Sequence, residues 1–389
     1  MRFRHQDGTR VHLGYCTNVH PAEDLDGVIS QLARYAEPVR ERMGADRLGV
    51  GLWLARDVAT ALAADPLAVG RLRKELAARG LEVVTLNGFP YRGFQSPVVK
   101  YQVYTPDWTQ PERLAYTLDL ADILTRLLPE DAARGSISTL PLAWRQPWDA
   151  ERRDAARRNV AKLEDGLAAL AVRDGRPIRV GFEPEPGCVV ESADQAVVSL
   201  ASMASELIGV CLDTCHLAVA FEDPVDVLDL LALAWLPIVK VQASCALQAR
   251  DPADPEAASA LSTFVEPRFL HQTRAADDLV PVAVDDLSEA LSERTLPVDR
   301  PWRVHFHIPV GSAPAPPLTS TSEVLTDALV ALFADAPQTD HIEVETYTWP
   351  VLPAESRLEG DAALVEGIAA ELSWTRSALI QSGLDEERP

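Results

Sequence analysis

Short apolar runs of β-forming residues alternate with amphipathic helical stretches along residues 11–241. Three such runs, at 180–185, 210–216 and 341–347, deliver a carboxylate at or near their C-terminal ends. Regular β/α alternation is the pattern of a parallel α/β fold, and parallel barrels gather their sites at strand C-termini. The prediction is therefore a (β/α)8 TIM barrel. Carboxylates that converge there repel one another unless a cation or protons neutralise them, which points to a divalent metal site.

Each element follows from the local pattern. Residues 1–11 predict a hairpin turning at Asp7 and Gly8. Residues 11–18 form the first barrel strand, with a polar exit through Asn18 and His20. Residues 22–43 carry Leu25, Val28, Ile29, Leu32, Ala33 and Val39 on one helical side. Strand two is 48–54. Asp57 is expected to cap a helical region that Pro66 splits, leaving 67–79 as the main helix. Strand three is 82–89. An aromatic-rich loop at 91–108 follows it on the site side, as a lid, a substrate wall or plain packing on the rim.

Pro111 opens a helix ending near Leu128, and strand four is 136–141. A long helix at 149–172 leads to strand five, 178–185. Ser192 caps a helix running to 207. Strand six is 208–213, Asp223 and Pro224 begin the next helix, and strand seven is 238–243. Residues 246–300 break the rhythm and are rich in Asp, Ala and Pro. They read as an insertion after strand seven, on the catalytic face. An extra strand at 302–309, a helix at 321–334, the last strand at 341–347 and a closing helix at 362–381 complete the chain. Nine strand candidates compete for eight places, and 302–309 is assigned to the insertion. No composition break marks a boundary, so residues 1–389 read as one domain.

The net charge of -22 makes nucleic acids and anionic membrane surfaces poor partners. The N-terminus has no apolar core of a signal peptide. The richest apolar run, 225–241, is broken by Asp226, Asp229, Pro237 and Lys240, so no membrane insertion is expected and the cytoplasm is the expected location. Five cysteines, Cys16, Cys188, Cys211, Cys215 and Cys245, form no CxxC pair and fit no disulfide framework. They fall near strand C-termini, either as half-buried filler under a pocket or as thiols facing a ligand or a soft metal.

Several residues carry candidate chemistry. Glu183 ends an apolar strand, where it is a ligand or a cap for the next helix. Asp213 with His216 puts a hard oxygen and an imidazole one turn apart. Gln242 offers a neutral carbonyl oxygen that suits Mg²⁺ or Mn²⁺. Glu343 and Glu345 share one strand face, and Glu345 lies nearer the site end. His305 and His307 also share a face and are the alternative source of a fourth ligand.

Glu on strand five, Asp-x-x-His after strand six, Gln on strand seven and Glu on strand eight resemble the xylose isomerase-like barrels. These include sugar isomerases and epimerases, dehydratases and endonuclease IV. The resemblance implies Glu183, Asp213, Gln242 and Glu345 as ligands of a divalent metal (Mn²⁺, Mg²⁺ or Zn²⁺), with His216 against substrate. The segments at 14–21, 85–91, 212–216 and 343–349 resemble the metabolite traffic protein EboE family. That resemblance implies a small-molecule metabolite as ligand and a transport system as possible partner.

The expected reaction is isomerisation or epimerisation of a polyhydroxylated or keto compound, with dehydration as the close variant. Glu183 or Glu345 would move the proton, and His216 would polarise a substrate oxygen. Asn18, His20, Asn87 and Arg274 are further expected substrate contacts. The rival is a carrier that binds the metabolite without turning it over, and a third reading is a scaffold that holds no metal.

Overall fold

In the computed structural model, residues 1–277, 280–293, 295–357 and 359–387 are described. Eight parallel strand positions close on themselves: Arg10–Cys16, Leu48–Trp53, Leu81–Glu82 continued by Thr85–Asn87, Gly135–Thr139, Ile178–Phe182, Ile208–Asp213, Ile238–Ala243 and His341–Val344. The last strand seals the ring by pairing with the first and the seventh. Helices cover the outside and side chains fill the inside, so nearly every strand residue is buried. This is the barrel the alternation predicts. Strand three differs from its expected continuous run, because its two short pieces flank Val83 and Val84.

The N-terminal hairpin forms as expected. Arg2–Arg4 pairs antiparallel with the first barrel strand, and Asp385–Glu386 pairs with Arg2–Arg4 on the other side. Pro66 does separate two helices, Arg56–Ala64 and Pro66–Ala78, but Asp65 is the cap and Asp57 lies inside the first turn. Ser192 accepts from the Gln195 amide as its cap role requires, yet that helix ends at Leu200 rather than near 207. The helical stretch at 22–43 is interrupted by a π-helical turn at Leu32–Ala36.

The insertion is larger and more ordered than its composition indicates. Ala246–Ala249, Thr273–Ala275, Val282–Val284, Trp302–His307 and Thr319–Ser320 form a five-stranded antiparallel sheet beyond strand seven. The Trp302–His307 strand lies in this sheet and not in the barrel. Among the described residues, no helix is long and apolar enough to cross a membrane.

One charged pair sits inside the barrel itself. Lys240 Nζ on strand seven donates to Glu343 Oε2 on strand eight, and both side chains are fully buried. Gly51 on strand two makes the room, since a Cβ there would stand 1.2 Å from Glu343 Oε1. Glu343 thus has its cation in the chain itself and needs no metal. Removing one partner leaves an uncompensated buried charge, whereas removing both does not. Lys240→Met should cost about 3–5 kcal/mol in urea unfolding, and Lys240→Met with Glu343→Leu should recover most of the loss.

Candidate metal centre and active site

Strand six ends in an acid and strands five and eight are each followed by one, and the barrel brings these acids together. Carboxylate oxygens of Glu183, Asp213 and Glu345 all lie within 4.8 Å of one another, and all three residues are buried. Each is oriented differently. Asp213 caps the short helix Thr214–Val219: its Oδ1 accepts from the amides of Cys215 at 2.7 Å and His216 at 3.0 Å, and from Ser244 Oγ at 2.7 Å. Its Oδ2 has no hydrogen-bond partner. Glu345 Oε1 accepts from Asn18 Nδ2 at 2.6 Å and Asn87 Nδ2 at 2.8 Å. Glu183 Oε2 is unpartnered, as are both polar atoms of Gln242.

Burial, followed by the neighbouring carboxylates, pushes Glu183 and Glu345 well above the usual carboxylate range. Buried acids that hold one another's protons on, beside orphaned donor atoms, match a place for a cation. The donor set of carboxylates and an amide oxygen suits a hard divalent ion.

The insertion adds nitrogen donors. His307 Nδ1 donates to the Glu345 carbonyl at 2.7 Å, which leaves Nε2 as a lone pair with no partner, 4.0 Å from Asp213 Oδ2. His307 Nε2 is thus a further free donor atom near Asp213. His216 anchors Nδ1 on the Pro184 carbonyl at 2.8 Å and turns Nε2 toward Glu185 Oε2 at 3.0 Å. Burial lowers the His216 imidazole to about 4 and raises the Glu185 carboxyl to about 8.

Glu183, Glu185, His216, His307 and Glu345 line one side of a cavity at the barrel mouth. Its far wall is apolar: Phe94, Val99, Val103 and Tyr104 from the 91–108 loop, with Phe269 and Leu270 from the insertion. The loop is thus a wall of the pocket. It is tied to the insertion by the amides of Val99 and Lys100, which donate to the Arg268 carbonyl at 2.7 and 2.9 Å. Phe94, Phe269 and Tyr347 pack ring against ring, with centroids 4.8–5.2 Å apart.

Four expected substrate contacts are placed otherwise. Asn18 and Asn87 spend their amide donors on Glu345, so they position a carboxylate. His20 stacks on Tyr35 at 4.3 Å and meets the Tyr15 hydroxyl at 3.2 Å, lining a separate small cavity with Val28 and Leu32. Arg274 is paired with Glu191 at 2.6 Å and donates to the Val284 carbonyl at 2.9 Å, away from the pocket lining. Polarity at a strand end reports that a residue needs a partner, not that the partner is substrate. The five cysteines are free and fully buried rather than half-buried, and none lines the main pocket. Cys215 Sγ does lie within 4.8 Å of His305 and His307 nitrogens. Glu185 and Tyr347 were not among the expected site residues. Glu185 had a visible signal, the Glu-Pro-Glu run at the end of strand five.

A family profile described as xylose isomerase-like TIM barrel matches residues 39–252, more than half of the chain. The chain belongs to the xylose isomerase-like TIM barrel family. Solved structures show the same fold at low identity. A xylose isomerase domain protein from Alicyclobacillus acidocaldarius subsp. acidocaldarius is 16% identical, with 95% of this chain and 99% of that one covered and a TM-score of 0.51. An L-ribulose 3-epimerase is 12% identical, with 96% and 95% covered and a TM-score of 0.51. The IOLI protein with a bound zinc atom is 13% identical, with 95% and 99% covered and a TM-score of 0.50. No curated protein matches the chain.

Behind the centre, Glu371 of the closing helix Asp361–Gln381 accepts from the Val310 amide at 2.8 Å, the Thr346 hydroxyl at 2.5 Å and Trp349 Nε1 at 2.9 Å. It joins the insertion to the end of strand eight. Burial lifts its carboxyl from 4.5 to about 7. A raised folded-state value means the unfolded chain releases this proton first, so the stability it contributes is lost as pH rises through that interval. Unfolding free energy measured between pH 4.5 and pH 7 should therefore fall with pH, and the slope should flatten in Glu371→Gln.

Proposed function

We propose that the chain is a divalent-metal-dependent isomerase or epimerase acting on a polyhydroxylated or keto small molecule. The observation that supports this most is the convergence of Glu183, Asp213 and Glu345, each buried, beside partnerless atoms of Asp213, Glu183 and Gln242. Glu183, Asp213, Gln242 and Glu345 would hold the ion, with His307 as a further donor. A bound divalent cation would polarise adjacent substrate oxygens and so acidify the carbon between them.

The proton itself is the work of this chain's residues. Glu183 and Glu345 both face the cavity, so one carboxylate can take a proton from the substrate carbon and the other can return one. His216 also lines the cavity and is held neutral by burial, so it contacts a substrate oxygen without adding charge. The aromatic wall excludes water from the exchanging proton. Its aliphatic members, Val99, Val103 and Leu270, favour a substrate with an apolar portion over a bare sugar. The epimerase among the structural relatives and the zinc in another agree with this chemistry. The segments resembling the EboE family make a role in metabolite traffic the finer form of the proposal.

The test is a screen of polyols and keto-sugars for metal-dependent uptake of solvent deuterium at carbon. Glu183→Gln and Glu345→Gln should each lower exchange by ~10²–10⁴-fold, compared at equal bound metal. Asp213→Ala should lower bound metal in elemental analysis of tag-free protein. Full exchange in both Gln variants would sink the mechanism. Metal-dependent ligand binding with no exchange in any protein would favour the carrier.

A further inference from the structure

At the end of the barrel opposite the carboxylate cluster, one helix terminus is built against its own preference. The helix Pro224–Leu233 closes in a tight turn. The Trp235 amide donates to the Ala232 carbonyl at 3.1 Å, and the Leu236 amide donates to the Leu231 carbonyl at 3.0 Å. That pattern needs a left-handed residue one position past the cap, Ala234, and glycine takes this conformation without steric cost. The chain places Trp235 there, at φ 55°. A bulky side chain is strained in this region. The strain brings no burial with it. Leu236 turns into the core, whereas Trp235 is 89% exposed.

Trp235 does not stand alone. Leu233 beside it is 81% exposed, and so is Val198 on the neighbouring helix Ala193–Leu200. The two helices lead into the starts of strands six and seven, which run side by side, with the Val210 amide donating to the Pro237 carbonyl at 2.8 Å. Their ends share a second property. Charged residues make up 24% of the chain and its net charge is -22, yet none lies within 195–205 or 230–239.

We propose that this uncharged, apolar surface seats a second copy of the chain and forms a two-fold dimer. Charge selects the occupant. A partner of opposite sign is drawn to the acidic surface elsewhere on the molecule. Two copies that each carry -22 repel wherever acids face acids, so they close only across a surface that brings none together. A two-fold axis meets that condition, because it lays the same patch on itself. Trp235 is the large aromatic anchor, and Val198 and Leu233 of the other copy are its apolar seat. The contact lies at the strand starts, so both barrel mouths stay open. It is independent of the proposed reaction.

The test is sedimentation equilibrium of the full chain across the micromolar range. Wild type should be a dimer, and added salt should tighten it by screening the repulsion between copies. Trp235→Gly should raise the dimer dissociation constant by at least ~30-fold. It should not lower Tm, since glycine suits the left-handed turn. Leu233→Glu, which adds an acid to the patch of each copy, should also give monomer. Bound metal should be equal in all three proteins. A wild type that stays monomeric, a dimer that salt loosens, or a dimer that withstands both substitutions would overturn the proposal. The wild-type measurement needs no variant to fold.

Discussion

Negative charge buried without water is the condition around which this barrel is built. Three carboxylates meet at the strand ends, and a fourth, Glu343, sits beneath them. Isolated anions in such a setting cost far more than a domain's net stability. The chain answers the lower one with its own cation, Lys240, in a space that Gly51 leaves open. The upper three receive only partial answers. Amide donors from Asn18 and Asn87 fix one oxygen of Glu345, and backbone amides with Ser244 fix one oxygen of Asp213. Asp213 Oδ2 and Glu183 Oε2 stay without a partner, and oxygens of all three acids lie within 4.8 Å of one another, an arrangement that suits an added cation.

The insertion changes what that centre can hold and what can reach it. A family barrel supplies acids from its strands, and here a separate sheet lays His305 and His307 over them. The same segment contributes Phe269 and Leu270 to the wall and anchors the 91–108 loop through Arg268. Donor nitrogens and part of the apolar wall therefore share one structural origin. Glu371 couples that origin to strand eight, so the histidines and Glu345 keep one relative position.

Much of the site was legible because its spacing is local. Asp213 and His216 are three residues apart on a helix that Asp213 itself caps, so their proximity follows from backbone geometry alone. Glu345 follows from strand alternation. Glu185 stands outside the expected set although it closes the Glu-Pro-Glu run at the end of strand five, and its side chain lines the pocket. Arg274 and His20 pair with Glu191 and Tyr35, and a buried polar side chain shows the same sequence signature whether its partner is substrate or another residue. Apart from Trp302–His307, which the sequence marks as an extra strand, the strands of the insertion are two to four residues long and carry little periodicity.

The sequence by itself determined the alternation of strands and helices, and with it the barrel and the end of the barrel where the acids gather. Periods of two and about 3.6 residues are local properties, and closure of a parallel ring places strand C-termini together. Only the tertiary structure decided which acid meets Lys240, which amides hold Glu345, and that His305 faces His216. Those pairings join residues 89–327 positions apart, and their partners are fixed by strand register and by the docking of an inserted sheet.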